Sequence, residues 1–234
     1  MLTLFAVLGT QSRGALVGLA AVGMMLAWKS PQRARIFMLF LAVIPVALAF
    51  MPDSWWERMG TISNYEEDAS AMGRIEAWTV AFNLAASNFM GGGFEGITAS
   101  GVRDVHSIYF EVLGEHGFIG FFLFMMVLGF TWSSAGWVIR QARGVAELAW
   151  AENLARMLQV SGLAYCTSGA FLGMAYFDYL YLLIAITVAT RRLVEQHLAT
   201  SSASRGKLSQ GARSQRLGMR STAATAGGRN NFRQ

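Results

Sequence analysis

The chain has 234 residues, of which 54% are hydrophobic and only 14% are charged, and its formal net charge is +5. A soluble globular domain carries about 25% charged residues, so this composition argues against a purely soluble protein. The charged residues are also bunched, which leaves long stretches without any. The single cysteine, Cys166, excludes an intramolecular disulfide.

Five apolar stretches are candidates for membrane-spanning helices, each of which needs about 20 mostly apolar residues. In chain order they cover residues 14–28, 36–52, 117–139, 157–177 and 179–190. The third stretch is the clearest, because it has 23 residues and none of them is charged. The last stretch is too short to be assigned by length, and its assignment depends on the charges around it.

Basic residues indicate how these stretches are oriented. Of the 19 lysines and arginines, 15 fall in segments that would share one side of a membrane. Those segments are residues 29–35, 140–156 and 191–233. The positive-inside rule makes that side cytoplasmic. Because Arg156 and Arg191 then lie on the same side, residues 157–190 are predicted to cross twice, as a tight hairpin that turns near residues 176–179.

Residues 53–116 then form a large periplasmic segment, which holds ten of the fourteen acidic residues. Within it, residues 69–86 are predicted to form an amphipathic helix, because apolar side chains recur there at helical spacing. This apolar stripe comprises Met72, Ile75, Trp78 and Phe82. Three consecutive glycines at residues 91–93 are predicted to end the helix.

The sequence therefore predicts an all-α integral membrane protein, a multi-span helical bundle with a large periplasmic segment. Four parts follow in order: membrane spans in residues 1–52, the periplasmic segment in 53–116, spans and the hairpin in 117–195, and a basic cytoplasmic tail in 196–234. From residue 200 the tail is rich in small and basic residues and lacks acidic ones, so it is predicted to be disordered. This distribution of charge favours a lipid bilayer as partner and argues against nucleic acid.

Two arginines are candidates for binding an anion. Arg13 lies between two apolar runs, where an ionisable side chain is costly and therefore suggests a function. It either snorkels to the outer surface or binds a phosphate through its planar set of donors. Arg74 lies four residues before Trp78 on the predicted helix, where a cation–π pair with that ring is the structural alternative to a binding role.

Three more ionisable residues lie at the boundary between the periplasmic segment and the span at residues 117–139. His106 is either a hydrogen-bonded interfacial residue or a proton-transfer group near neutral pH. Glu111 and Glu115 follow at helical spacing, and they are either ordinary interfacial carboxylates or part of a substrate-binding site.

In this order, the motifs resemble those of the O-antigen ligase and polymerase superfamily. The resemblance is carried by Thr10-Gln11-Ser12-Arg13-Gly14, by Arg74 with Trp78 and the glycine turn after them, and by His106-Ser107-Ile108-Tyr109-Phe110 through Gly114-Glu115-His116-Gly117. Residues 64–74 and 175–178 are similar to the branch of O-glycosylation ligases associated with exosortase A systems. The likeness covers about residues 1–195, and the chain resembles the C-terminal half of such an enzyme.

The resemblance implies a GT-C-like, metal-independent glycosyltransferase in the bacterial inner membrane. Such an enzyme transfers a glycan from undecaprenyl diphosphate to a lipid, glycan or protein acceptor at the periplasmic face, and it uses no cofactor. By position, Arg13 and Arg74 would bind the diphosphate and His106 would activate the acceptor hydroxyl. A polysaccharide polymerase of the same superfamily and a non-catalytic membrane component are the alternatives.

The charge asymmetry makes the topology testable. A reporter that is active only in the cytoplasm is expected to work when it is fused after Arg35 or after Gln234, because basic segments are retained on that side. A reporter that is active only in the periplasm is expected to work when it is inserted after Gly60. Periplasmic activity of the fusion after Gln234 would contradict the predicted orientation.

Overall fold

A computed structural model describes residues 13–29 and 69–227, together with isolated positions between residues 34 and 53. The regular structure in these ranges is helical and includes no β-strand, which agrees with the predicted all-α class. The helices are α1 (Arg13–Lys29), α2 (Ala69–Ser87), α3 (Gly96–Ala99), α4 (Ile108–Ala142), α5 (Ala149–Gly169) and α6 (Asp178–Gly227), with one turn of 3-10 helix at Ala146–Leu148.

Helix α4 has the length and composition of a membrane span. It has 35 residues, and of the helices in the described ranges it is the one that is long and apolar enough to cross a membrane. Few side chains in its most apolar part are buried by the rest of the protein. Most of the predicted span at residues 36–52, and residues 54–68 of the periplasmic segment, lie outside the described residues. The multi-span topology therefore stays a prediction.

Helices α4, α5 and α6 form a bundle, and α1 packs on α5. Two clusters of buried side chains stabilise the bundle, one at each end. The first joins the C-terminal end of α4 to the start of α5 and consists of Ala135, Val138, Ile139, Ala142, Leu148, Ala151 and Ala155, with Val194 of α6. The second lies at the opposite end and consists of Ile108, Val112, Tyr165, Ala175 and Leu180.

Helices α5 and α6 are antiparallel, as the predicted hairpin requires, and residues 170–177 connect them. The first arm is Ala149–Gly169, although the sequence predicted a span over residues 157–177. Tyr165 explains why the helix ends early. Its hydroxyl donates to the carbonyl oxygens of Met174, at 2.9 Å, and Ala175, at 3.3 Å, which holds the connection against α5.

Helix α2 confirms the predicted helix at residues 69–86, but the stripe that the sequence predicted as its apolar face is mostly exposed. The exposed members of that stripe are Met72, Ile75 and Phe82. The buried face consists instead of Ala77, Ala81 and Ala85. The reason is a close approach to α4, because a Cβ atom built on Gly114 would lie only 3.1 Å from the Cβ atom of Ala81. Small side chains allow such an approach between helices.

Helix α4 is kinked at Gly117, whose φ of 63° and ψ of −165° are not helical. There the three glycines at residues 91–93, which we call the glycine loop, contact the helix backbone to backbone. Two hydrogen bonds of 2.9 Å join them, from the N–H of Gly92 to the carbonyl oxygen of Gly114 and from the N–H of Gly93 to that of Glu115. The glycine loop therefore follows α2, as predicted, and also fixes its C-terminal end to the kink.

Helix α6 continues to Gly227, through the segment after residue 200 that the sequence predicted to be disordered. The difference has a physical source. Between residues 200 and 227 the segment contains no proline and includes five alanines and four arginines, which favour helix formation. The prediction of disorder rested on its small and basic residues and on its lack of acidic ones.

The contact at the kink makes Gly91 more sensitive to substitution than Gly93. Both have positive φ, at 79° and 73°, so alanine at either position costs about 1–2 kcal/mol of backbone strain. A Cβ atom on Gly91 would also lie 2.5 Å from the carbonyl oxygen of Glu115, whereas one on Gly93 has nothing within 4 Å. Gly91→Ala is therefore expected to lower the midpoint of thermal unfolding in detergent micelles more than Gly93→Ala. Equal losses would contradict the contact.

Candidate functional site

A cleft of about 780 Å³ opens between α2 and the turn that precedes α4. It is the place where the structure brings together two of the residues predicted to be functional, Arg74 and His106. The polar side chains that line it are Arg74, Glu76, Ser100, Arg103, Asp104 and His106. Two arginines and a histidine therefore line one open cleft, together with two acidic residues.

Arg74 projects from the first part of α2, and its Nε atom is buried and has no hydrogen-bond partner among the residues that the structure describes. Buried polar atoms are nearly always hydrogen-bonded in native proteins, so this atom suggests a group that the cleft is built to receive. Trp78, the predicted cation–π partner of Arg74, stacks instead on Phe110 with ring centroids 5.0 Å apart. Its indole N–H donates to the carbonyl oxygen of Val105 at 3.0 Å.

The contacts of Trp78 position the turn that carries the histidine. The stack on Phe110 ties α2 to α4, and the hydrogen bond to Val105 ties α2 to the residue directly before His106. Val105 is itself buried, in a cluster with Ala81 and Ile97. The cleft is therefore bounded by packed elements and not by a free surface loop.

His106 has a φ of 51°, and it is the one residue other than glycine with a positive φ in the described ranges. Histidine, asparagine and aspartate adopt this conformation more readily than other side chains. Asp104 stabilises it, because one carboxylate oxygen accepts the His106 backbone N–H at 2.8 Å. The other carboxylate oxygen lies 3.1 Å from Nδ1 of the ring. Conformations of this kind cluster at functional sites.

Glu111 and Glu115 do not line this cleft and face the connection at residues 170–177. A carboxylate oxygen of Glu111 accepts the N–H of Ala175 at 3.1 Å. A carboxylate oxygen of Glu115 accepts the hydroxyl of Tyr176 at 2.5 Å. Both glutamates thus hold the connection against α4, and the substrate-binding role expected of them stays a prediction.

Tyr176 and His116 form, together with Glu111 and Glu115, a second polar group outside the cleft. The Tyr176 oxygen lies 3.0 Å from Nε2 of His116, and since its one proton is donated to Glu115, the His116 nitrogen is the donor in the second bond. Tyr176 lies in the connection, where desolvation and the hydrogen bond to Glu115 raise its pKa. The hydroxyl therefore keeps its proton. Phe94, three residues after Gly91, packs edge-on against both rings.

Arg13, the remaining predicted site residue, is the first residue of α1. Its side chain lies outside the described part of the structure. Helix α1 itself packs on α5, where Gly18 lies directly against the side chain of Ser168.

Sequence reasoning missed Asp104 and Arg103 of the cleft and Tyr176 of the second group. The first two are close neighbours of His106 in the chain, and their position in a polar turn was the available signal. Tyr176 is sixty residues away from His116, and only the folded connection brings it there. No group of three or more residues suited to hold a metal ion occurs in the described ranges.

Comparison with known proteins gives one family. The family model described as O-antigen ligase matches residues 1–125, which include α1, α2, every residue of the cleft and α4 past its kink. No curated protein and no solved structure gives a significant match. The match covers more than half of the 234 residues. With the family motifs and the cleft in the same part of the fold, the chain belongs to the O-antigen ligase family.

Proposed function

We propose that the protein transfers a glycan from undecaprenyl diphosphate to an acceptor hydroxyl at the periplasmic face of the bacterial inner membrane, and that the cleft is its donor site. Membership of the O-antigen ligase family supports a ligase or polymerase type of reaction on lipid-linked glycans in a membrane. The donor, the acceptor and the residues that act on them are specific to the proposal.

The observation that carries the proposal is the meeting of Arg74, Arg103 and His106 around one cleft. A diphosphate leaving group develops negative charge as its bond to the sugar breaks, so fixed positive charge at that position lowers the barrier. Arginine suits this role because its planar donors match phosphate oxygens. The Nε atom of Arg74 is buried, and within the described part of the chain its donor capacity is unused.

The two carboxylates of the cleft have different positions in this scheme. Asp104 is paired with His106, so its charge is directed at the imidazole. Glu76 lines the cleft two residues after Arg74 and adds negative charge near the proposed diphosphate. The net attraction for an anion therefore depends on both Arg74 and Arg103, and Arg13 is proposed as a third positive group.

The proposed reaction is a displacement at the anomeric carbon of the sugar joined to the diphosphate. The acceptor oxygen forms the new bond to that carbon while the carbon–oxygen bond to the diphosphate breaks. The acceptor proton passes to Nε2 of His106, and undecaprenyl diphosphate leaves with the electron pair of the broken bond. General base catalysis of this kind contributes typically about 10²–10⁴-fold in rate.

The arginine proposal predicts the effect of a conservative change. Arg74→Lys and Arg13→Lys each replace a two-pronged donor by a point charge, so each is expected to lower glycan transfer by about tenfold or more, the value of one charge-assisted hydrogen bond. Transfer is measured in membrane vesicles that contain the protein and a lipid-linked glycan. Arg143→Lys, at the far end of α4 from the cleft, is the matched control. Near-normal transfer by the Arg13→Lys/Arg74→Lys double variant would show that the two arginines do not bind the diphosphate as proposed.

The histidine proposal is tested on two residues of the same region. His106→Ala is expected to lower transfer about 10²–10⁴-fold, because the acceptor loses its base. His116→Ala is expected to retain most of the activity, since the Tyr176 hydroxyl still donates to Glu115 when the imidazole of His116 is absent. Protein levels in the membrane and binding of the donor lipid are measured for both variants. The reverse ranking, or equal tolerance of the two changes, would show that His106 is not the base.

A further inference from the structure

We propose that Asp104 is a positioning residue for His106 and that Gly173, in the connection between α5 and α6, holds Asp104 in place. This inference rests on the proposed role of His106 as the base. It assigns to the site a segment outside residues 1–125, the part that the family model matches.

Asp104 contacts His106 at two points. One carboxylate oxygen accepts the backbone N–H at 2.8 Å, and the other lies 3.1 Å from Nδ1 of the ring. A carboxylate cannot donate, so its negative charge beside the ring favours a hydrogen on Nδ1. In the neutral ring, Nε2 then carries the lone pair. That is the nitrogen the proposed reaction needs, because only an unprotonated Nε2 can accept the acceptor proton.

The two contacts have separable functions. The bond to the backbone N–H supports the positive φ of His106 and is enough to shape the turn. The contact at Nδ1 is not needed for the turn, and its proposed consequence is the choice of ring tautomer. About half of each side chain is exposed, with 49% of His106 and 44% of Asp104 accessible, so burial alone does not orient the ring.

Gly173 is the residue against which the Asp104 carboxylate rests. A Cβ atom built on Gly173 would collide with Oδ1 of Asp104 and lie 3.2 Å from Cγ. The carboxylate is thus in contact with the backbone of the connection at the one kind of residue that leaves room for it. Because the colliding group is the end of a side chain, a methyl group at residue 173 displaces the carboxylate without breaking the fold.

The connection that carries Gly173 is fastened to the bundle on both sides. On one side, the Tyr165 hydroxyl of α5 donates to the carbonyl oxygen of Met174. On the other, Glu111 and Glu115 of α4 accept the N–H of Ala175 and the hydroxyl of Tyr176. These bonds fix residues 174–176, directly after the glycine. The second polar group therefore has a structural task, which is to keep the connection against Asp104.

Three other charged residues line the cleft beside the Asp104–His106 pair. Arg74 and Glu76 face it from α2, and Arg103 precedes Asp104 in the turn. The ion pair that Asp104 makes within the described ranges is the one with His106. The carboxylate therefore remains directed at the ring and not at either guanidinium group.

Asp104→Asn separates the two functions of the carboxylate. The amide oxygen still accepts the His106 N–H, so the turn is retained, but the amide nitrogen that replaces the second oxygen donates and cannot accept from Nδ1. The ring is then expected to carry its hydrogen on Nε2. Nitrogen-15 NMR of the full chain, labelled at histidine in lipid nanodiscs, measures the tautomer. The chain has three histidines, and the His106 signals are assigned by their loss in His106→Gln.

In Asp104→Asn, His106 is expected to change from the Nδ1–H to the Nε2–H tautomer. The kcat for glycan transfer is expected to fall about tenfold or more, because the base then lacks its free Nε2. The KM for the lipid-linked donor is expected to stay within about twofold of the wild type. Gly173→Ala is expected to shift the tautomer and kcat in the same direction by a smaller amount. Gly129→Ala, on α4, is the matched control, because a Cβ atom there has nothing within 4 Å.

Two results would overturn parts of this inference in distinguishable ways. If His106→Ala abolishes transfer while Asp104→Asn keeps the Nδ1–H tautomer and the wild-type kcat, the positioning role is wrong and the proposed function stands. If Asp104→Asn changes the tautomer but neither it nor His106→Ala lowers transfer, His106 is not the base, and the catalytic consequence assigned to Asp104 fails with it.

Discussion

The backbone contact between the glycine loop and the kink of α4 is the constraint on which the arrangement of α2 depends. Glycine on both sides lets two stretches of main chain meet with no side chain between them, and two hydrogen bonds close the contact. The alanine face of α2 continues the close approach toward its N-terminal end. Trp78 adds a third attachment through Val105. Arg74 therefore reaches the cleft on a helix that is fixed along its length.

The cleft and the second polar group lie on two sides of the start of α4. On one side, the turn before α4 presents Asp104 and His106 to the cleft. On the other, Glu111 and Glu115 hold the connection between α5 and α6. The two sides meet where Asp104 contacts Gly173. The turn before α4, the start of α4 and the connection between α5 and α6 are thus held together, although they are far apart in the chain. Most of the polar contacts between them involve backbone groups.

Much of the fold can be predicted from the sequence, because three of its features depend on single helices. These are the length of the stretches without charged residues, the helical spacing of apolar residues and the runs of glycine that end a helix. Helix α2, the long helix after His106 and the hairpin were predicted on that basis. The buried face of α2 was not, because the choice of Ala81 over Phe82 depends on how closely Gly114 allows α4 to approach. For the same reason, Arg74 and His106 were identified as candidates, whereas their common cleft and the partners Asp104 and Tyr176 follow only from tertiary contacts.

The exposed apolar stripe of α2 has a consequence for how a substrate finds the protein. Met72 and Ile75 flank Arg74 on the same helix and are exposed. One helix therefore presents both an apolar surface and a charged group. A lipid-linked molecule is confined to the plane of its membrane, and its search for such a helix is two-dimensional. The quantity that sets the encounter rate is then the surface density of that lipid in the bilayer, and bulk concentration in the surrounding water has little bearing on it.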